Sequence, residues 1–227
     1  MSFIVAIDGP AGTGKGTITK IIAEKMNLIN IDTGAMYRCV TLECIRKGIS
    51  PSDIGKIEEI LENIDIELKH EGGEQKVFLN GEDVSDQIRT PEVDSLVAVY
   101  AALKVVRDKV TPMQQKMGEK ADIIMEGRDI GTVVFPNADV KIFLDCSLEE
   151  RARRRYKQNL EKGINESYEE VLKSIKERHK LETEREIAPF IKADNAIVVD
   201  STNLSIDEVV EEIEKIINTK RNVVSNG

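Results

Sequence analysis

One segment, residues 9–17, places glycines and a lysine at the spacing of a phosphate-binding loop. It reads Gly-Pro-Ala-Gly-Thr-Gly-Lys-Gly-Thr and lies between the apolar run 3–7 and a helix-compatible run. In a strand, loop and helix of this kind, consecutive backbone N–H groups form a concave anion site, and the helix directs its positive end at phosphate. The order of residues therefore predicts a site for a nucleoside triphosphate.

Individual roles follow from this loop. Lys15 is expected to neutralise charge on the β- and γ-phosphates, and the Thr17 hydroxyl to reach phosphate oxygens or Mg²⁺. The strict pattern has Ser or Thr directly after the lysine, whereas Gly16 intervenes here, as in the variant typical of nucleoside monophosphate kinases. A glycine-rich turn that binds nothing is the less favoured alternative. The expected triphosphate-binding residues are Gly9, Pro10, Ala11, Gly12, Thr13, Gly14, Lys15, Gly16 and Thr17.

Two further segments, 32–38 and 127–132, carry arginine close to glycine just after predicted strands. Ligands of doubly wound sheets bind beyond the carboxyl ends of the strands, so both segments should lie near the phosphate-binding loop. Arg38 and Arg128 match phosphate oxygens bidentately and are candidates for a second phosphate group. Alone, the first segment also fits a capped helix, and the second a turn with a local pair between Arg128 and Asp129. Together with the loop, they favour binding.

Basic residues are concentrated in residues 151–185, which hold 11 Lys and Arg against 7 Asp and Glu, whereas the whole chain has a net charge of −9. This concentration favours a lid that folds over phosphates, and a solvated helix face is the alternative. The three residues Arg178, Glu182 and Arg185 recur on one helical face. They fit an intrahelical ion-pair stripe or a clamp on ribose and phosphate, and the spacing alone favours the stripe.

Composition limits the class of protein. A chain of 227 residues, 41% hydrophobic and 32% charged, is expected to form one domain with a sizeable core. No apolar run approaches about 18 residues, and no secretory signal is visible, so we expect a cytoplasmic protein. Three cysteines without metal-ligand spacing fit a reducing compartment, and two histidines disfavour imidazole catalysis. The net acidity argues against nucleic acid or membrane as partners. We expect small-molecule substrates and a monomer.

Alternation of strands and helices predicts an α/β fold with a parallel central sheet covered by helices on both faces. The predicted strands are 3–8, 28–31, 122–126, 140–145 and 196–200. The predicted helices are 16–26, 33–48, 103–118, one opened by a capping box from Ser147 to Glu150, and 205–217. The tail from residue 219 is expected to fray.

The alternation is interrupted by an insert at about 60–99. Two alternating runs around the turn 71–74 predict a β-hairpin, and Asn80-Gly81 predicts a second tight turn. Thr90 followed by Pro91 predicts the start of a helix.

These features together resemble the bacterial cytidylate kinase family, the (d)CMP kinases of the nucleoside monophosphate kinase group, over nearly the whole chain. The segments that carry the resemblance are 7–17, 32–38, 80–93, 127–155 and 176–189. The resemblance implies a three-layer P-loop fold with a monophosphate-binding insert at about 60–99 and a short helical lid near 150–165. It also implies transfer of a phosphoryl group from ATP to CMP or dCMP with Mg²⁺.

The resemblance further implies roles for single residues. Those that match cytosine-recognising positions are Thr33, Arg107 and Asp129. Those that match the acceptor-phosphate positions are Arg38 and Arg128, with Tyr37 in the same wall. Those that match positions near the sugar and the transferred group are Arg178, Glu182 and Arg185, and those in the lid are Arg151 and Arg154. The implied catalytic residues are Lys15, Arg128, Arg151, Arg154 and Arg185.

Base recognition has a physical basis. A carboxylate at Asp129 accepts from the cytosine N4 amino group, and Arg107 donates to N3 or O2, whereas uracil presents the opposite pattern. Ala98 and Glu182 stand where the family has serine and aspartate near the sugar, so the preference between CMP and dCMP stays open, as do the phosphate donor and the ligands of Mg²⁺. The alternatives are a kinase for UMP, AMP or shikimate, a nucleotide-sensing switch, and a nucleic-acid-binding protein.

Overall fold

A computed structural model of the protein describes residues 2–71, 74–119 and 121–225. Its strands are β1 (Ile4–Asp8), β2 (Ile29–Asp32), β3 (Ile66–Glu71), β4 (Glu74–Leu79), β5 (Glu82–Asp83), β6 (Ile123–Gly127), β7 (Val140–Asp145) and β8 (Ile197–Asp200). Its α-helices are α1 (Lys15–Met26), α2 (Thr33–Arg46), α3 (Ile54–Asn63), α4 (Pro91–Tyr100), α5 (Lys104–Met117), α6 (Leu148–Glu161), α7 (Tyr168–Glu184) and α8 (Ile206–Ser225).

Five parallel strands form the central sheet in the order β2-β6-β1-β7-β8, which confirms the predicted α/β class. The inner strand β6, between β2 and β1, is buried along its whole length, as expected for a strand covered on both faces. Asp8 pairs in register with Gly127, and Asp32 with Glu126, so the carboxyl ends of β1, β2 and β6 meet at one edge. The loops that follow these strands are thereby brought together.

Helices cover both faces of the sheet. On one face, Ile18 and Ile22 of α1 pack with Val209 and Ile213 of α8 against the strands. On the other, Met125 of β6 lies in an apolar cluster with residues of β1, β2 and the turn after β6, and Met117 of α5 packs against this cluster. Burial of apolar surface on both sides of one sheet is the main stabilising contribution in such a three-layer arrangement.

The insert forms a small antiparallel sheet in the order β3-β4-β5, which confirms the predicted hairpin, although residues 72–73 of its turn lie outside the described residues. The Asn80-Gly81 turn is confirmed: both residues have positive φ, 51° and 83°. Ile66 and Val77 of the insert share one apolar cluster with Val40 of α2. The insert and the helices beside it therefore have a common core.

The predicted N-terminal cap of α4 is confirmed, whereas the capping box predicted for α6 is not complete. Thr90 caps α4 by accepting from the backbone N–H of Val93 at 3.5 Å. Ser147 caps α6 in the same way, but the predicted capping box is incomplete because its backbone N–H donates to Thr202 Oγ1 at 2.9 Å, not to Glu150.

The last helix is longer than predicted. α8 continues beyond residue 217 to Ser225, so the segment 219–225 is helical and the expectation of fraying there is wrong. Arg221 anchors this end, with its Nη2 3.0 Å from Asp122 Oδ2. Of the helices in the ranges that the structure describes, none combines the length and the apolar character needed to cross a bilayer.

Candidate active site

The phosphate-binding loop connects β1 to α1 at the sheet edge where the strand ends meet. Gly12 and Gly14 have φ of 86° and 87°, a left-handed backbone that favours glycine. A Cβ on Gly9 would lie 2.3 Å from the carbonyl oxygen of Leu144, so that position also requires glycine. The loop thus has the backbone shape of an anion site at a helix N-terminus.

Lys15 folds its side chain back over this loop. Its Nζ donates to the carbonyl oxygens of Gly9 at 2.7 Å and Pro10 at 2.8 Å. The side chain is buried, and burial, together with the positive charge of Arg128, lowers the pKa of Lys15 well below its ordinary value. An ammonium group that is poorly solvated in this way would be stabilised by phosphate oxygens.

Two acidic residues that the sequence analysis did not single out lie at the same edge. Burial raises the pKa of Asp8 to about 6, although its carboxylate accepts from the backbone N–H groups of Ile130 and Gly131, each at 2.8 Å. Burial and the nearby Asp32 raise the pKa of Glu126, against the opposing charge of Lys15. Asp8 therefore holds the turn after β6 in place. Its position as the last residue of a strand before the loop was the available sequence signal.

The turn after β6 brings Asp129 to Arg107, as expected for a joint role. Arg107 Nη2 donates to Asp129 Oδ2, and its Nη1 donates to the carbonyl oxygen of Ala101 at 3.1 Å. Both side chains are buried. Arg185 lies on the other side, with Nη2 3.8 Å from Asp129 Oδ1. The centroid of the Tyr37 ring lies 5.4 Å from Arg107 Cζ, so this ring packs against the same guanidinium group.

Thr33 is buried at the start of α2, where its Oγ1 donates to the carbonyl oxygen of Glu126 at 2.6 Å. This bond ties α2 to the end of β6. It places Thr33 beside Gly127, on which a Cβ would lie 2.8 Å from the Thr33 hydroxyl. The three residues matched to cytosine recognition are therefore carried by α2, α5 and the turn after β6.

Arg128 turns away from Asp129, so the local pair considered as an alternative is absent. Its Nε donates to Glu182 Oε2 at 2.9 Å, and Arg178 Nε donates to Glu182 Oε1 at 2.9 Å. Burial of Glu182 opposes its ionisation, but the two guanidinium groups outweigh that effect and lower its pKa to about 2. Glu182 is thus a buried carboxylate that joins α7 to the turn after β6.

The predicted stripe on α7 is only partly correct. Arg178 and Glu182 do form an intrahelical pair, but the helix ends at Glu184, and Arg185 has the extended backbone of a C-cap. Arg185 Nε donates to the carbonyl oxygen of Ala188 at 2.6 Å. Its guanidinium therefore faces Asp129 rather than the stripe.

Asp94, in the first turn of α4, lies among three arginines and was missed from the sequence. Arg38 Nη2 lies 2.5 Å from Asp94 Oδ1, Arg155 Nη2 donates to Oδ2, and Arg178 Nη1 lies 3.9 Å from Oδ1. Asp94 follows a capped Thr-Pro helix start, where an acidic residue is explained by the helix dipole alone. No local pattern distinguishes it from such a residue.

The arginines of α6 divide into two groups. Arg151 Nη1 donates to the carbonyl oxygen of Ala11, and Arg154 Nη1 to that of Thr13, each at 3.3 Å, so both contact the phosphate-binding loop. Arg153 is exposed on Glu150, and Arg155 points to Asp94. A cavity of about 330 Å³ opens beside the loop. Its lining includes Thr13, Thr17, Ile18, Arg154, Lys157 and Val209.

Comparison with known proteins identifies relatives along nearly the whole length of the chain. The sequence profile of the cytidylate kinase family matches residues 5–219. The cytidylate kinase of Bacillus subtilis is 47% identical over 216 residues, covering 95% of this chain and 96% of that protein. The cytidylate kinase of Fusobacterium nucleatum is 49% identical over 214 residues, covering 94% and 96%.

A solved structure shows the same fold at low sequence similarity. The crystal structure of an uncharacterised protein from Eubacterium ventriosum aligns with a TM-score of 0.53 at 13% identity, covering 96% of this chain and 99% of the other. At that identity the alignment concerns the fold alone. The family is established by the sequence matches over nearly all of both chains: this chain belongs to the cytidylate kinase family.

Proposed function

We propose that this protein, a nucleoside monophosphate kinase by family, transfers the γ-phosphoryl group of ATP to CMP or dCMP and releases ADP with CDP or dCDP. The observation that carries the proposal is the buried pair of Arg107 and Asp129 beside a phosphate-binding loop. The Arg107–Asp129 pair offers donors and a carboxylate acceptor that complement cytosine, and the phosphate-binding loop offers a site for an anion. The phosphate-binding loop after β1 and the turn after β6 that carries Asp129 both follow strands that end at the same sheet edge.

ATP fits the loop because Gly12 and Gly14 adopt the backbone that such a cradle needs and Lys15 supplies a buried positive charge. The adenosine part would extend into the cavity between the loop and α6. Mg²⁺, when bound, would offset the negative charge of the phosphate groups. The Thr17 hydroxyl and the Glu126 carboxylate, which lies 3.1 Å from where a Cβ on Gly16 would be, are the oxygen donors proposed to hold it.

CMP would place its base between Thr33, Arg107 and Asp129. One carboxylate oxygen of Asp129 is engaged by Arg107, and the other faces Arg185 at 3.8 Å, a separation that leaves it able to accept from the N4 amino group. The acceptor phosphate would lie on Arg38 and Arg128, with Tyr37 beside it. Arg178, Glu182 and Arg185 would lie near the sugar and the transferred group.

The reaction is proposed as an in-line displacement. A phosphate oxygen of CMP attacks the γ-phosphorus, the bond to the β,γ-bridging oxygen breaks, and its electron pair leaves with ADP. The attacking group is already largely ionised at neutral pH, so no general base is required. Lys15, Arg128, Arg151, Arg154 and Arg185 would act by positioning and by offsetting charge on the transferred group.

Two moving parts are proposed from the family resemblance. The insert at about 60–99 would close on the monophosphate, and a helical lid near 150–165 would close on ATP and exclude water. In the structure, Arg151 and Arg154 at the base of this lid already contact the loop. We further propose that the protein acts as a cytoplasmic monomer on small molecules.

The proposal is tested by measuring ADP release from ATP with CMP, dCMP, UMP and AMP in parallel. CMP and dCMP should stimulate release strongly, and UMP and AMP far less. Stimulation by UMP or AMP equal to that by CMP would contradict cytosine recognition. ATP binding without any stimulated ADP release would instead favour a nucleotide-sensing switch.

A further inference from the structure

Asp94 places a negative charge among the arginines that surround the proposed acceptor phosphate. Its Oδ1 is 2.5 Å from Arg38 Nη2 and 3.9 Å from Arg178 Nη1, and its Oδ2 accepts from Arg155. The Asp94 side chain is 16% exposed, so these charges interact with limited screening by water. A carboxylate and a phosphate make the same kind of contact with a guanidinium group.

Two of these arginines are held in place without Asp94. Arg38 Nη1 donates to the carbonyl oxygen of Ile88 at 3.2 Å, and Arg178 Nε donates to Glu182 at 2.9 Å. Because each guanidinium has a second anchor on a different group, loss of the Asp94 carboxylate would leave both near their present positions. Asp94 is therefore not required to orient them.

The charges of the cluster support the same interpretation. Arg38, Arg128, Arg155 and Arg178 contribute four positive charges, and Asp94 and Glu182 two negative ones, which leaves a net charge of +2. A phosphate monoester is mostly a dianion at neutral pH. Without the carboxylate of Asp94 the same site would carry +3 and attract any phosphate more strongly.

We propose that Asp94 is an internal competitor for Arg38, which in the proposed function binds the acceptor phosphate, and that it sets the affinity of this site for phosphate-bearing ligands. The inference rests on the proposed function for the identity of the acceptor. When a monophosphate binds, Arg38 exchanges the carboxylate of Asp94 for phosphate oxygens. The exchange lowers affinity for CMP and for free phosphate, and it speeds the release of a bound phosphate group.

The test compares Asp94→Asn with Glu92→Gln. Glu92 is exposed in the same first turn of α4, so its substitution removes the same charge from the same helix end without touching the cluster. Equilibrium binding of CMP, inorganic phosphate and cytidine is measured by calorimetry at fixed ionic strength and without ATP. Asp94→Asn should bind CMP and phosphate about tenfold more tightly than wild type, with cytidine unchanged. Glu92→Gln should match wild type for all three.

Weaker or unchanged binding of CMP and phosphate by Asp94→Asn would overturn the proposal and make Asp94 an organising residue. Tighter binding of cytidine to the same extent would also overturn it, because the effect would not depend on phosphate. If thermal melting shows that Asp94→Asn is not folded, Asp94→Ser gives the same comparison. Absence of CMP phosphorylation by wild type would defeat the proposed function alone, since the inorganic phosphate measurement still reports on Asp94.

Discussion

The guanidinium group of Arg107 and the carboxylate of Asp129 form a buried ion pair, with side chains only 4% and 5% exposed. The pair joins α5 to the turn after β6, and Arg107 is further held by the carbonyl oxygen of Ala101. Removing one partner of such a pair leaves the other charge buried and uncompensated. The pair that is proposed to recognise the cytosine base thus also holds α5 against the turn after β6.

Substitution of Asp129 should therefore change base choice and stability together. Asp129→Ala should lower kcat/KM for CMP by an amount that corresponds to about 2–4 kcal/mol of lost transition-state stabilisation. The kcat/KM for UMP should change much less, because buried polar groups left unpaired dominate discrimination of this kind. Asp129→Asn keeps an acceptor for Arg107 and serves as the better-folded variant. Steady-state kinetics with both nucleotides gives the ratio of kcat/KM for CMP to kcat/KM for UMP. Equal losses for CMP and UMP would make Asp129 only a structural partner of Arg107.

Lys15 should be required for turnover. Lys15→Ala removes a fixed positive charge from a site where charge is spread over transferring oxygens, so most turnover should be lost while the protein stays folded. Circular dichroism and ADP release separate the two effects. Lys20→Ala, an exposed substitution on the same helix, is the control. Near-normal activity of Lys15→Ala would remove this residue from the proposed mechanism.

Arg151 and Arg154 should act mainly in the transition state. Replacing either with alanine should lower kcat far more than it raises the KM for ATP, by up to roughly 10³-fold, and lysine at the same position should restore only part of the activity. Arg153 lies on the same helix with an exposed side chain, so Arg153→Ala should change kcat little. If both alanine variants keep wild-type kcat, the phosphoryl clamp must be sought at Arg178 and Arg185.

The proposed position of the sugar near Ala98 and Glu182 allows a test of the choice between CMP and dCMP. Ala98 is a buried residue of α4 and lacks the hydroxyl that a serine would offer to the 2′-OH. Ala98→Ser should raise the ratio of kcat/KM for CMP to that for dCMP. Ala102→Ser, two residues after the end of α4, should leave this ratio unchanged. An unchanged or lower ratio in Ala98→Ser would assign any sugar preference to Glu182 or to neither residue.

Ionisation of Glu182 should make the free energy of unfolding rise with pH in the acidic range. Burial opposes its ionisation, but Arg128 and Arg178 lower its pKa from 4.5 to about 2 in the folded protein. Because the folded-state value is the lower one, the ionised carboxylate stabilises the fold above pH 4.5. This contribution, about 3 kcal/mol, is lost as pH falls from 4.5 to 2.

Urea unfolding at several pH values compares wild type with Glu182→Gln. The difference in the free energy of unfolding should be largest near neutral pH and shrink in acid. Glu184→Gln, at an exposed position of the same helix, should differ from wild type by a small and nearly constant amount. A difference for Glu182→Gln that is constant with pH would contradict the assigned pKa.

Features encoded in short segments were predictable from the sequence. The loop 9–17, the hairpin of the insert and the Thr90 cap each depend on neighbouring residues, and the structure contains all three. The end of α8 was not predictable by periodicity alone, because a contact between Arg221 and Asp122, 99 residues apart, anchors it. Long-range contacts of this kind leave no local pattern.

The same distinction holds for the site. Candidate arginines could be chosen by their position after strands, but their partners could not. Arg128 pairs with Glu182, 54 residues away, rather than with the adjacent Asp129. Asp94 and Asp8 gain their importance only when folding brings charges or N–H groups to them. Which charges neutralise each other is decided by tertiary packing.

Cytosine recognition by Asp129 is tested most directly by a crystal structure of the protein with CMP and a non-hydrolysable ATP analogue. We expect the triphosphate on residues 9–17, the CMP phosphate on Arg38 and Arg128, and the cytosine N4 within about 3.2 Å of an Asp129 carboxylate oxygen. Cytosine bound with its amino group away from Asp129, or CMP bound without contact to Arg38 and Arg128, would contradict this expectation.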